Sequence, residues 1–334
     1  AVVEQNGSGG LIHYAYQMCT ALAAAGRDVT LITARIYELE DFPHTFKVDK
    51  RLNLWPLFDP SLETAPRNNL ERITRKIWWS TRRAFRGLKL VLAWVGLTEY
   101  LLRDRPDIVQ FGKINFPFEG FFLGRLKRGG LILTQVCHEF ERRESSGLLA
   151  GWMDKTYVGI YQNFSAIFFH ANQNRDRFHS LFNFPRERTH VIHHANEALF
   201  LSHAARLQAR PETAGRYGLR PGEKVVLFFG LISPSKGLPL LVEAFARIGY
   251  DKPVKLIIAG YPAKQMNMEA LKNQVEKNNL ADKVIFDTRY IPLGEVAPLV
   301  GLADMVVLPY QSSTQSGSLQ VAYAFGRPVI ATKV

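Results

Sequence analysis

The chain has 334 residues, 47% of them hydrophobic and 22% charged, which excludes wholesale disorder and, at roughly 100–200 residues per domain, points to two domains. Two cysteines, Cys19 and Cys137, are too few for a disulfide scaffold or a Cys-rich metal site and fit a reducing compartment. The formal charge is +12, and segment 67–105 alone holds 10 basic and 3 acidic residues, so the excess marks an anionic partner at one place rather than a nucleic-acid-binding surface.

The elements alternate between short apolar runs and amphipathic stretches. Residues 1–4 look too short for a first strand and precede the glycine turn 7–10, a helix over 11–26 closed by Gly26, and a strand over 29–34. Residues 68–86 lack Gly and Pro and read as a helix, followed by an apolar stretch over 88–102. No apolar run reaches the ~20 residues that span a bilayer. Strands follow at 107–111, 131–136 and 166–171, then a polar, basic stretch at 202–221. Beyond it, strands at 225–229, 255–259, 284–286, 305–308 and 329–332 alternate with helices at 238–248, 269–279 and 319–325. Continuous apolar strands alternating with helices imply parallel sheets covered on both faces. The pattern occurs twice, so the fold class is α/β, two doubly wound Rossmann-like domains over 1–200 and 201–334. Both ends read as cut short: the chain stops directly after a strand, where a helix is expected.

Three loops carry chemistry. Gly7-Ser8-Gly9-Gly10 opens a helix, where glycines let backbone N–H groups approach an anion. A dinucleotide fingerprint would need a third Gly at Ile12 and an acid at Thr33-Ala34-Arg35, so NAD binding is not expected. Phe228–Leu238 runs from a buried strand through Gly230, Ser233 and Lys236 into a helix. It suits a diphosphate held by a cation and a helix terminus, yet does not match the P-loop pattern. The third loop, 309–318, offers many hydroxyl and amide donors and no carboxylate, which suits the oxygens of a phosphate or sugar.

Together "FFGLISPSKGLPLLVEAF", "KLIIAG", "RYIPLGEVAPLVGLADMVVLPY" and "SGSLQVAYAFGRPVIAT" resemble the C-terminal domain of GT-B glycosyltransferases of the GT4 type, also known as glycosyl transferases group 1. "GSGGLIHYAYQMCTALAAAGRDVTLIT", "LILTQVCHEF" and "RTHVIHHANEALF" resemble segments of its N-terminal half, in the right order. The resemblance implies two domains facing across a cleft, the acceptor on the first and the nucleotide-sugar donor on the second. It implies transfer of a sugar to an acceptor hydroxyl with retention. The twelve aspartates include no D-x-D pair, in keeping with metal-independent members of this class; no metal and no cofactor beyond the co-substrate is expected. By resemblance Lys236 meets the diphosphate, His138 contacts the donor sugar, and Gly9, Gly10, Gly230 and Ser233 approach the donor. Arg289, Tyr290 and Ile291 border the base. Many relatives carry an Arg at Leu231 or Ser233, which is missing here, and Glu139 replaces the usual Asp. The E-x7-E pair of the family falls on Ser313 and Val321. Ser313, Thr314, Gln315, Ser316, Gly317 and Ser318 are expected to take over the sugar contacts, and Gln320 the ribose, as a variant Ser/Thr/Gln-Ser-Gly loop.

At about 100° per residue, Arg72, Arg75, Lys76, Arg82, Arg83 and Arg86 fall in one stripe with Trp79 inside it. Leu70, Ile73, Ile77, Ala84 and Leu88 lie opposite. The two readings are a solvated charged face over a core helix, and a cationic surface for an anionic membrane. The second gives a peripheral enzyme on the cytoplasmic membrane face, with a lipid-linked or polysaccharide-precursor acceptor. The donor is a UDP- or GDP-sugar. The alternatives are a non-catalytic sugar-nucleotide-binding protein and a sugar-nucleotide epimerase on the same scaffold.

Overall fold

The computed structural model describes residues 1–54, 69–140, 159–194, 199–201, 210–248, 252–313 and 315–334, with the side chains of 69–84, 86, 210 and 211 outside the description. The chain divides into two compact units, Ala1–His193 and His194–Val334.

Unit 1 is a seven-stranded parallel sheet in the order β3-β2-β1-β4-β5-β6-β7. Its strands are β1 (Val2–Glu4), β2 (Thr30–Ala34), β3 (Lys47–Leu52), β4 (Ile108–Phe111), β5 (Ile132–Val136), β6 (Ala166–Phe169) and β7 (Thr189–Val191). The helices are α1 (Gly10–Ala24), α2 (Asn69–Asp104), α3 (Glu119–Arg128) and α4 (Asn172–Leu181). Residues 2–4 correct the sequence reading: short as it is, β1 pairs with both β2 and β4 and lies inside the sheet. All three of its residues are buried, so three residues suffice where both ladders are filled.

α2 corrects a second expectation. Residues 68–86 and 88–102 form one 36-residue helix. Its buried positions are Leu90, Trp94, Leu97 and Leu101, and Trp94 stacks between Phe111 and Phe122, each 5.7 Å away. These positions lie within about 40° of the Arg72 azimuth. Phe85, Leu88 and Leu92 lie opposite and are 60%, 56% and 60% exposed. Leu88, read as core-facing, is therefore on the outer side: the packing of Trp94 fixes which side of the helix faces inward. The side chains of Arg72, Arg75, Lys76, Trp79, Arg82, Arg83 and Arg86 lie outside the described residues. No described helix is long and apolar enough to cross a membrane.

Unit 2 is a five-stranded parallel sheet in the order β10-β9-β8-β11-β12. Its strands are β8 (Lys224–Phe229), β9 (Val254–Ala259), β10 (Val284–Asp287), β11 (Met305–Leu308) and β12 (Val329–Ala331). The helices are α5 (Arg210–Arg216), α6 (Leu238–Ala246), α7 (Met268–Lys277), α8 (Leu293–Leu302) and α9 (Gly317–Ala324). Parallel pairing buries the strand backs. In both sheets the strand order reverses once, between β1 and β4 and between β8 and β11, and such switch points place ligands at the carboxyl ends of the strands.

Two carboxylates are buried at that edge of unit 1. Glu119 is fully buried and accepts from Gln5 Nε2 and Trp94 Nε1 (both 3.1 Å) and from the N–H groups of Asn115 and Phe116 (2.7 and 3.2 Å). Glu4, which ends β1, accepts from the N–H of Asn6 at 3.0 Å and its Nδ2 at 3.2 Å. A Cβ on Gly112 would stand 2.4 Å from the Glu4 carboxylate, so the absence of a side chain there makes room for it. Burial outweighs these hydrogen bonds and raises the Glu4 pKa from 4.5 to about 7. The folded state then binds more protons than the unfolded one between those values, so stability falls as pH rises through this window. Glu4→Gln keeps the acceptor for Asn6 and removes the charge. Its unfolding free energy measured by denaturant titration is expected to exceed wild type at pH 8 by ~3 kcal/mol at most and to converge with it near pH 4.5.

Candidate functional site

In unit 2 the carboxyl ends of β8 and β11 flank the switch point. The loop after β8 carries Gly230, Ser233 and Lys236; the loop after β11 carries Tyr310 to Ser316. The structure brings them together. Gln311 N–H donates to Ser235 O at 2.8 Å. A Cβ on Gly230 would meet Ser318 Oγ at 2.6 Å. Gly237 caps α6 with φ +67°, and a Cβ there would meet Pro309 O at 2.0 Å. Ser233 is buried, with its Oγ 3.0 Å from Ser235 Oγ. Pro234–Lys236 forms a single 3-10 turn that carries the Lys236 ammonium over the Tyr310 ring, 3.7 Å from its centroid, a cation–π contact.

Tyr310 joins the two loops. Its hydroxyl lies 3.1 Å from Ser316 Oγ and is hydrogen-bonded by Ser318 as well, while burial, the larger effect, pushes its pKa up. The phenol therefore stays neutral beneath the lysine. Ser316 caps α9, accepting from Leu319 N–H at 3.2 Å, and Ser313 Oγ donates to Gln315 O at 2.6 Å. Gly317 and Ser318 form the first turn of α9, whose N–H groups point along the positive end of the helix dipole. Gln320 is half-buried on α9, and Val321, at the second E-x7-E position, is buried on its core side. Thr314 lies outside the described residues. The sequence reading missed Tyr310, because nothing local marks a strand-end tyrosine as the floor beneath a lysine 74 positions away.

The residues expected to border the base follow β10. Arg289 is engaged by carboxylates on both sides: its Nε donates to Asp287 Oδ1 at 2.8 Å and its Nη2 to Glu295 Oε2 at 2.5 Å. Arg216 also pairs with Glu295, and Tyr217 OH donates to Asp287 Oδ2 at 2.8 Å. The Arg289 bond holds the Glu295 carboxyl below its ordinary pKa. Arg289 therefore ties β10 to α8, and Arg216 ties α5 to the same Glu295. Ile291 is buried and Tyr290 half-buried beside it.

In unit 1, Gly9 caps α1 with φ +88°. Its N–H donates to Glu38 Oε1 at 2.6 Å, and the same oxygen lies 2.5 Å from His13 Nε2. A carboxylate from 29 residues away thus stands at the amide expected to approach the donor, and no local signal marks it. Gly10 is exposed, with open space around its Cα. His138 is buried beyond the end of β5, with its Nδ1 3.3 Å from His170 Nε2. Tyr14 of α1 packs edge-on against it at 4.8 Å. Glu139 pairs with Lys113 at 2.6 Å. A cleft of about 500 Å³ lined by His179, Phe182, Phe184 and Arg186 lies in the loop entering β7, at the amino edge of the sheet and away from these residues. Among the described residues no group of three or more His, Cys, Asp or Glu side chains is arranged to hold a metal.

A family model for Glycosyltransferase Family 4 matches residues 8–195, and one for Glycosyl transferases group 1 matches residues 223–334. The chain is 34% identical over 119 residues to a D-inositol 3-phosphate glycosyltransferase of Segniliparus rotundus, covering 35% of this chain and 26% of that protein. It is 29% identical over 106 residues to a GDP-mannose:glycolipid 4-beta-D-mannosyltransferase of Xanthomonas campestris pv. campestris, covering 32% and 29%. Both alignments span less than a third of the relatives' length. The structure superposes on Anabaena HepE, solved in complex with UDP and glucose, with a TM-score of 0.65, at 16% identity and over 99% of this chain and 79% of that one. That likeness gives the fold: two Rossmann-like units of the GT-B class.

Gly237 and Gly326 share the left-handed backbone, φ +67° and +60°, but a Cβ on Gly326 meets nothing within 4 Å. Gly326→Ala is expected to cost about 1–2 kcal/mol, the backbone strain alone. Gly237→Ala must in addition push the two loops apart, so it is expected to cost more and to lower nucleotide affinity. Thermal unfolding and nucleotide titration of the two variants side by side check this.

Proposed function

We infer the reaction from the family, for this chain belongs to glycosyltransferase family 4 and is a glycosyltransferase of a nucleotide-sugar-dependent class. We propose that unit 2 holds the donor's diphosphate between the Lys236 ammonium and the first turn of α9. The observation that carries this reading is the contact between the two loops of the β8/β11 switch point, with Lys236 fixed over Tyr310. The chemistry of the step asks for it. When the bond from the anomeric carbon to the diphosphate oxygen breaks, negative charge builds on the leaving group, and preorganised cations and N–H donors stabilise it without reorganising. Lys236 supplies the cation and the N–H groups of Gly317 and Ser318 the dipole end. In this reading no metal is required, the anomeric configuration is retained, and the Ser313–Ser318 loop replaces the acidic pair at the sugar. Ser233, beside the turn, offers a hydroxyl where relatives offer a guanidinium. His138 and the Gly9-Gly10 turn of unit 1 act at the sugar and the reacting centre.

The donor proposed is a UDP- or GDP-sugar. In support, HepE binds UDP and glucose and the Xanthomonas relative is named for GDP-mannose. The acceptor proposed is a hydroxyl of a lipid-linked or polysaccharide precursor; the same relative is named for a glycolipid. The exposed Phe85, Leu88 and Leu92 of α2 support a peripheral position on the cytoplasmic membrane face, because apolar side chains in a net-basic segment bind anionic interfaces.

Two measurements test the proposal. Thermal stability against a panel of UDP, GDP, UDP-glucose and GDP-mannose is expected to rise with one base, by about 2.7 kcal/mol at a hundredfold excess over Kd. Lys236→Ala is expected to abolish the rise; an equal rise in the variant removes Lys236 from the diphosphate site. In co-sedimentation with phosphatidylglycerol-containing vesicles, Leu88→Glu/Leu92→Glu is expected to release most of the bound protein while leaving nucleotide binding intact. Vesicle binding that survives this change removes α2 from the membrane contact.

A further inference from the structure

The register of unit 1 sets three residues in a row across neighbouring strands. Val136 pairs with Phe168 and Phe169 with Val191. One or two residues past the strand ends, the same register brings His138 beside His170 and His170 beside Ile192. The contacts follow. His170 Nδ1 lies 3.1 Å from Ile192 O, and His170 Nε2 lies 3.3 Å from His138 Nδ1. Both imidazoles are buried, their centroids 5.0 Å apart, and Tyr14 stands edge-on to both at 4.8 and 5.1 Å.

With both imidazoles neutral, the two contacts place the protons. A backbone carbonyl only accepts, so His170 carries its proton on Nδ1. A neutral imidazole then has its lone pair on Nε2, which accepts from His138 Nδ1–H. His138 is thereby the Nδ1–H tautomer, and its Nε2 is an acceptor. We propose that His170 is a positioning residue for His138: it fixes the ring and the tautomer, so that His138 meets the transferred sugar as a hydrogen-bond acceptor for a hydroxyl. The proposal rests on the reading that His138 acts at the donor sugar.

The test has two independent readouts. In the ¹⁵N-histidine-labelled wild-type protein, long-range proton–nitrogen correlation spectra are expected to show protonated Nδ1 at both His138 and His170, assigned by loss of the corresponding signals in single variants. An Nε2–H tautomer at His138 overturns the proposal with the underlying reading intact. In transfer or donor hydrolysis with UDP-glucose or GDP-mannose, His170→Phe is expected to lower kcat roughly ten- to hundredfold, by analogy with the loss when the partner orienting a metal-ligating histidine is removed, with UDP or GDP affinity unchanged. His170→Gln, which offers an amide oxygen to His138, is expected to restore much of the loss. The double variant His138→Phe/His170→Phe is expected to be no slower than His138→Phe alone. Additive losses, or no rescue by Gln, overturn the positioning role. Full turnover in His138→Phe overturns the placement of His138 at the sugar, and that is the failure of the reading beneath the proposal.

Discussion

A parallel sheet buried on both faces leaves polar chemistry only one kind of place, the ends of its strands. Every described strand lies in a parallel sheet, and the backbone groups of the inner strands are committed to ladders on both sides. Where the ladder ends, N–H and carbonyl groups must find other partners, and open parallel sheets place their ligands outside those ends. Glu4 at the end of β1, His138 after β5, His170 after β6, Gly230 after β8, Arg289 after β10 and Tyr310 after β11 all stand there. The positions are set by strand register before any of these residues does chemistry.

The two units use this edge differently. In unit 2 the switch-point loops are drawn into one body by glycines that have no room for a side chain and by Tyr310, which holds Lys236 from below and Ser316 from the side. A lysine on an open loop would lose rotamer entropy when it met a diphosphate; held over an aromatic face, it has given up much of that freedom already. In unit 1 the edge buries titratable groups instead. Burial drives both carboxyls toward the neutral form, Glu119 despite four N–H donors and Glu4 despite the bonds from Asn6. Burial there serves orientation rather than charge, as in the His138–His170–Ile192 row.

Much of the fold was legible because both sheets are built from continuous apolar strands with strongly patterned helices between them. The elements missed have physical reasons. β3 is an edge strand, KVDKRL, whose polar residues hide its pairing. α4 buries only Phe178 and so has no apolar stripe, and α8 carries Pro298 inside it. The loops of the site were legible from glycine, serine and one lysine. Their partners were not: Tyr310, Glu38 and His170 act through contacts that only the folded register creates. α2 shows the limit of the helical wheel, which separates two faces but does not say which one the protein covers; the stacking of Trp94 between Phe111 and Phe122 decides that.

Glu38 bears on how the first unit receives an anion. Its carboxylate takes the Gly9 N–H and stands against His13, so the amide at the start of α1 is already matched by a negative charge from within the chain. A phosphate approaching that turn meets a carboxylate before it meets the helix dipole, and like charges at such distances repel. The second unit has no such internal anion among its described switch-point residues: Ser313, Gln315, Ser316 and Ser318 are neutral, and Lys236 is positive. The electrostatics of the two helix starts therefore differ in sign of preference, which supports the proposal that the diphosphate lies in unit 2. In the same proposal unit 1 orients hydroxyl groups of the sugar, through the His138 and His170 rings buried at its strand ends.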